Sequence, residues 1–153
     1  LLFLVVFLAF FLGFQTLMDS LALARLIVLP DQTAKLEQLY SNPVFTRTQI
    51  HLLIGYQIFF GASVLLAAYL LLSRMDPRAR KFLKGIFAID VFLFIAVALR
   101  YAQFDYRPPS AEKFYYDVFC TFLEVFLIIC LSHPSLQNIP GPEPEDDMPK
   151  NDS

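Results

Sequence analysis

The sequence predicts an all-α protein: a four-helix transmembrane bundle with both termini on one side of the bilayer and a Pro-rich acidic C-terminal tail. Hydrophobic residues make up 57% of the 153 residues, which exceeds the roughly 45–50% typical of soluble domains. Four runs reach the roughly 20 apolar residues that a helix needs to cross the hydrocarbon core. Basic residues are concentrated in one connection between two of these runs. We therefore expect residues 1–132 to form the bundle and residues 133–153 to form the tail.

The first two runs are separated by a polar connection. The first run extends from about Leu1 to Val28 and ends before Pro30, which cannot continue a helix. It is longer than the roughly 7–15 apolar residues of a signal-peptide core, so we interpret it as a membrane anchor. The second run covers about Gln49 to Leu72.

The last two runs follow a tight basic turn. The third run covers about Phe82 to Phe104, and the fourth covers about Phe114 to Leu131. Asp76 followed by Pro77 indicates an N-cap and a first-turn proline, so the third helix is predicted to begin there. The Pro-rich acidic segment after the fourth run lacks the apolar residues that build a core.

The distribution of basic residues predicts the orientation. The turn between the second and third runs contains Arg74, Arg78, Arg80 and Lys81, and Lys84 follows closely. Because basic connections stay on the side from which a chain is inserted, this turn is predicted to face the cytoplasm, matrix or stroma. An even number of spans then places both termini on that same side.

One polar residue in each run falls at a similar predicted depth. With about 1.5 Å of rise per residue, Asp19 and Glu124 both lie about 15 Å from the non-basic face. Gln57 and Asp90 come within a few Å of that level by the same count. The sequence therefore predicts that Asp19, Gln57, Asp90 and Glu124 form one layer near mid-membrane, which is the candidate ligand-binding site.

Three interpretations of this layer remain open. An ionisable group in the hydrocarbon core costs about 2.5–3.5 kcal/mol by insertion scales, so each one needs a partner or a purpose. The groups are either structural, with hydrogen bonds inside the bundle, or they contact a basic residue of another subunit, or they hold a ligand, proton or cation between the helices. Gln57, Gly61 and Ala68 form a stripe suited to close helix approach.

Several function classes lack their residue patterns. His51 and His133 fall near opposite membrane faces, so they are not expected to share a metal or a haem. The sequence contains no Cys/His cluster, no glycine-rich phosphate loop and no Ser/His/Asp set at one depth. We therefore predict no metal, no cofactor and no catalytic residue, and the interpretation leans away from an enzyme. The net charge of −2 gives no indication of nucleic acid binding.

The acidic tail is a candidate partner surface. Glu143, Glu145, Asp146 and Asp147 lie among prolines. Such a segment is expected to be disordered alone and to become ordered against a basic partner or an aromatic groove. These four residues are therefore predicted to contact a protein partner.

Short motifs resemble the emopamil-binding and sigma-2-receptor-like proteins, known as the EXPERA family. The similar segments are Leu17-Met18-Asp19, Val28-Leu29-Pro30 and Asn42-Pro43. The resemblance implies a small endoplasmic-reticulum bundle whose membrane-depth carboxylates, here Asp19, face a sterol-like or cationic ligand. The chain departs from the family pattern at Asn42, where an aspartate is usual, at Gln57, where a glutamate is usual, and in having no Trp.

A second resemblance is to the small scaffold proteins of the ergosterol pathway. It rests on residues 11–16 in the first run, on Leu21, Leu23 and Arg25, and on Arg47-Thr48. Mainly because the acidic tail is a candidate partner surface, we predict a non-catalytic subunit or scaffold of a larger membrane assembly, in the endoplasmic reticulum or an organelle inner membrane, with lipids and proteins as partners. The alternative is a small bundle that binds a lipid or sterol ligand, or acts like a sterol isomerase, through its buried carboxylates.

Overall fold

The computed structural model describes residues 1–29, 37, 39–41, 44–104 and 111–137. Within these ranges the chain forms α1 (Leu2–Val28), α2 (Arg47–Arg74), α3 (Pro77–Gln103), α4 (Ala111–Ser132) and the short α5 (Pro134–Gln137). The four long helices have the length and apolar composition needed to cross a membrane, which confirms the four predicted apolar helices. The candidate partner residues of the tail, Glu143, Glu145, Asp146 and Asp147, lie outside the described residues.

Two helix starts are fixed by side-chain caps. At the start of α2, the Thr46 hydroxyl accepts a hydrogen bond from the Gln49 backbone N–H, and the Gln49 side chain accepts one from the Thr46 N–H. At the start of α3, the Asp76 carboxylate accepts a hydrogen bond of 2.8 Å from the Arg78 backbone N–H. Pro77 occupies the first turn of α3, so the predicted N-cap and first-turn proline are confirmed.

The four long helices pack in a ring in chain order. Helices α1 and α2 make the most extensive contact, and α1 and α4 make the least extensive of the four neighbouring contacts. Gly13 of α1 lies against Gly61 and Val64 of α2, while Ser20 reaches Gln57, so the two helices are antiparallel. Because these glycines lack side chains, the backbones approach closely, as the small-residue stripe predicted.

The apolar core occupies the half of the bundle next to the α2–α3 turn. It contains the first part of α1 and α3 and the last part of α2 and α4, with Phe60, Phe87, Leu83, Leu127 and Leu131 almost fully buried. Leu136 of α5 joins this core, and the Arg80 guanidinium donates a hydrogen bond to the Leu136 carbonyl. The described residues after α4 are thereby attached to the end of the bundle.

The outer surface of the bundle is apolar. Only 17% to 33% of the residues in the most apolar window of each long helix are buried inside the protein. The remaining surface carries exposed phenylalanines such as Phe3, Phe7, Phe59, Phe92 and Phe122. An apolar surface this extensive is stable only against lipid or another protein.

Candidate functional site

A cavity lies in the half of the bundle away from the α2–α3 turn. Its volume is about 380 Å³, it is partly open, and all four long helices contribute to its wall. Asp19, Gln57, Asp90 and Glu124, the four residues predicted to share one layer, all line it. The volume falls in the range of roughly 300–1,000 Å³ that small-molecule sites occupy.

Asp90, Glu124 and Tyr56 come together at the inner end of this cavity. The Asp90 carboxyl lies beside both the Tyr56 hydroxyl and the Glu124 carboxyl. Glu124 is only 4% exposed. Its Oε2 atom and the Tyr56 hydroxyl are buried without a hydrogen-bond partner among the described residues. Leaving a buried polar atom without a hydrogen-bond partner costs about 1–3 kcal/mol of stability. A donor that reached Oε2 would remove this cost, so its binding would be favoured.

The apolar core forms the floor beneath this cluster. Leu127, one turn after Glu124 on α4, is fully buried. Phe60 and Phe87 lie edge to face with their ring centroids 6.1 Å apart. These side chains separate the carboxyl groups from the α2–α3 turn, so within the described residues the cavity ends at Asp90 and Glu124.

Gln57 lies beside Ser20 at the α1–α2 contact. Ser20 is fully buried, and its hydroxyl donates to the Thr16 carbonyl oxygen at 2.6 Å. The same hydroxyl lies 3.3 Å from the Gln57 side-chain oxygen. Because a hydroxyl has one proton, Ser20 donates mainly to the closer Thr16 carbonyl, and its longer contact marks where the Gln57 side chain of α2 meets α1.

Asp19 is in the same cavity but not in the Asp90–Glu124 cluster. Its carboxylate accepts hydrogen bonds from the Gln15 amide at 3.2 and 3.3 Å, and its side chain is exposed. On α4, the Asp117 carboxyl and the Tyr116 hydroxyl lie within electrostatic range of Asp19. Asp19 therefore lies on the α1–α4 side of the cavity, where the two helices contact each other least.

The outer end of the cavity is bordered by side chains from several segments, including Leu39, Tyr101, Lys113 and Phe114. Next to Leu39, the Tyr40 hydroxyl hydrogen-bonds to Nε2 of His51, and the Arg47 guanidinium lies 4.9 Å from the centre of the Tyr40 ring. These contacts attach residues 39–41 to the start of α2. His51 is thus a structural neighbour of the cavity entrance and does not line it.

Two residues of the site do not follow from the polar pattern of the sequence. Tyr56 and Ser20 are of types that occur widely in membrane helices, so neither stands out as an ionisable group does. The only local signal for Tyr56 is that a hydroxyl precedes Gln57 in an apolar run. Its place beside Asp90 and Glu124 depends on how α3 and α4 pack against α2.

The cavity provides carboxyl, hydroxyl and amide groups. Among the described residues, no group of three or more His, Cys, Asp or Glu side chains has an arrangement that could hold a metal ion. Comparison with known proteins finds no matching family model, no matching curated protein and no matching solved structure.

Proposed function

We propose that this protein binds a small amphiphilic ligand in the cavity between its helices. The observation that carries the proposal is the Glu124 carboxyl, which is almost fully buried, lines the cavity and has an oxygen without a hydrogen-bond partner among the described residues. A structural carboxyl is expected to have its oxygens satisfied inside the bundle. A binding carboxyl is expected to keep an acceptor free for its ligand, and Glu124 combines an unpaired oxygen among the described residues with a position in the cavity wall.

The composition of the cavity wall favours a ligand with a donor or cation at one end. Two carboxyl groups side by side repel each other when both are ionised, and a cation near both relieves this repulsion. Charge-assisted hydrogen bonds to carboxylates are also about twice as strong as neutral ones. Leu12, Leu53, Leu93, Phe94 and Val97 supply apolar wall for the body of the ligand. A sterol-like or amine ligand, as the EXPERA resemblance implies, has this form.

Three ligands test the proposal: decylamine, decanol and decanoic acid. They share a linear hydrocarbon chain and differ in the polar end group, and each is added to the protein in lipid nanodiscs. Ligand affinity is measured from the rise in the thermal unfolding midpoint. We expect decylamine to bind most tightly, decanol to bind more weakly and decanoic acid to bind least, because the acid places a carboxylate beside Asp90 and Glu124. Equal affinities for the amine and the acid would contradict the proposed polarity of the site.

Two matched variants on α4 test whether decylamine binds in the cavity. Glu124→Gln should weaken decylamine binding about 10- to 100-fold, since a charge-assisted hydrogen bond contributes roughly 1.5–3 kcal/mol. Glu112→Gln makes the same chemical change at an exposed position that does not line the cavity, and should leave the affinity unchanged. Decanol binding that persists in Glu124→Gln shows that the variant is folded. If both variants bind decylamine equally, the cavity is not the binding site.

A non-catalytic subunit or scaffold is the second candidate, and Asp19 favours it. An exposed carboxylate in the middle of a membrane helix needs a partner, and a basic residue on a helix of another protein would supply one at the α1–α4 side. Mild purification tests this: a stoichiometric protein partner that is lost in Asp19→Asn supports the subunit role. Decylamine binding that is unchanged in the same variant would show that the two roles are separate.

A further inference from the structure

A second surface with its own chemistry lies at the opposite end of the bundle from the cavity entrance. Five basic residues occur between positions 74 and 84. Arg74, Arg78 and Lys81 are exposed, and Lys84 is partly exposed. These four side chains, from the end of α2 and the start of α3, are named here the basic turn surface.

The side chains of the basic turn surface have no hydrogen-bond or ion-pair partner among the described residues. Other basic residues of the protein do: Arg80 donates to the Leu136 carbonyl, and Arg100 donates to the Val44 carbonyl. The nearest acidic group in the sequence is Asp76, and its carboxylate accepts the Arg78 backbone N–H as the N-cap of α3. Among the described residues, Asp76 makes this capping bond and no ion pair with the basic side chains.

Exposed apolar side chains surround the basic turn surface. Leu72 is 40% exposed, Met75 is 37% exposed and Phe82 is 47% exposed. Phe82 follows Arg78 by one turn of α3, so the two side chains lie on the same side of the helix, with the aromatic ring closer to the hydrocarbon core. This arrangement matches the two parts of a phospholipid. The cations can contact the phosphate of the headgroup, and the apolar side chains can contact an acyl chain nearer the hydrocarbon core.

We propose that the basic turn surface binds anionic phospholipids, with Arg78 and Lys81 donating to the phosphate and Leu72 and Phe82 contacting an acyl chain. Guanidinium and ammonium groups are the usual phosphate donors of proteins. Basic residues beside a membrane also attract anionic lipids electrostatically. This proposal is independent of the cavity, because it uses none of the residues that line the cavity.

Lipid competition in nanodiscs tests the proposal. The protein is placed in nanodiscs of phosphatidylcholine with 30% phosphatidylserine, and the lipids that stay bound after transfer to detergent are counted by native mass spectrometry. We expect phosphatidylserine to be retained in preference to phosphatidylcholine. Each basic side chain should contribute about a fivefold preference, so Arg78→Gln with Lys81→Gln should lower the preference about 25-fold.

The control replaces two basic residues at the other end of the bundle. Arg25→Gln with Arg47→Gln removes the same charge from two exposed positions that do not line the cavity, and should leave the preference for phosphatidylserine unchanged. A preference that falls equally in both double variants reflects net charge alone and overturns the proposal. The proposal also fails if the wild-type protein retains the two lipids equally, or if the preference persists in Arg78→Gln with Lys81→Gln.

The acidic tail of the same chain is the alternative occupant. Its charges are removed by replacing four residues with their amides: Glu143, Glu145, Asp146 and Asp147. If phosphatidylserine binds to the basic turn surface only after this change, the tail occupies the surface and the proposal is overturned. Preferential binding with the acidic tail intact supports the lipid.

Discussion

Gly61 shows how a single residue sets the distance between two helices. A Cβ atom at this position would lie 2.8 Å from the Gly13 carbonyl oxygen and 2.9 Å from both the backbone nitrogen and Cβ of Leu17. Two of these atoms belong to the backbone of α1, so they cannot move aside as the end of a flexible side chain would. The close approach of α1 and α2 therefore depends on glycine at position 61.

We predict that Gly61→Leu destabilises the bundle by about 3 kcal/mol, at the upper end of the usual cost of overpacking, because α1 and α2 must separate. The matched control is Gly55→Leu on the same helix, where an added Cβ would meet nothing within 4 Å. The free energy of unfolding, measured by denaturant titration in mixed micelles, should not fall in this control, because leucine favours a helix over glycine by up to about 1 kcal/mol. Equal destabilisation by the two variants would show that the Gly13–Gly61 contact is not limiting.

Charge in an apolar run is the part of the site that is readable from the sequence. Asp19, Asp90 and Glu124 stand out because ionised groups are costly inside a membrane, and counting residues is enough to estimate their depth. Rotation about the helix axis is harder to obtain, since it depends on which neighbours pack on each side. Asp19 consequently shares the cavity with Asp90 and Glu124 but lies on its α1–α4 side.

At the scale of the helices, caps determine where an element begins more closely than hydropathy does. The apolar pattern predicts spans starting near Gln49 and Phe82, whereas α2 begins at Arg47 and α3 begins at Pro77. Hydropathy reports which residues contact lipid, and a helix extends beyond that region until a side chain satisfies its terminal N–H groups. The Asp76-Pro77 pair revealed one start, and the Thr46–Gln49 capping box, with its recognisable spacing, marks the other.

We predict that Thr46→Ala frays the first turn of α2, because loss of an N-cap oxygen costs about 1 kcal/mol. Hydrogen–deuterium exchange should become about fivefold faster at the backbone amides of Gln49 and Ile50, which donate to the Thr46 hydroxyl and the Thr46 carbonyl oxygen. Thr48→Ala removes the same hydroxyl from an exposed position that is not the cap, and should leave this exchange unchanged. Similar acceleration in both variants would indicate that the capping box does not hold the start of the helix.

At the scale of the whole molecule, the bundle divides into two halves with different contents. Large apolar side chains fill the half next to the α2–α3 turn, and polar side chains border a cavity in the other half. The four spans follow from composition and run length. Because neighbouring helices run antiparallel, the polar residues Asp19, Gln57, Asp90 and Glu124 of the four helices all fall in the same half of the bundle.

This division predicts that a thiol reagent reaches the cavity and the basic turn from opposite sides of the membrane. Cys120 lines the cavity, whereas Cys130 is 8% exposed within the core. A charged, membrane-impermeant thiol reagent should therefore label Cys120 in a Cys130→Ala variant when added from the side away from the basic turn. A cysteine at the turn, Arg78→Cys in a chain without Cys120 and Cys130, should be labelled only from the cytoplasmic, matrix or stromal side. For the cavity experiment, the control is Cys120→Ala, which keeps only the buried Cys130 and should stay unlabelled. Labelling of both positions from the same side would contradict either the predicted orientation or the separation of the cavity from the basic end.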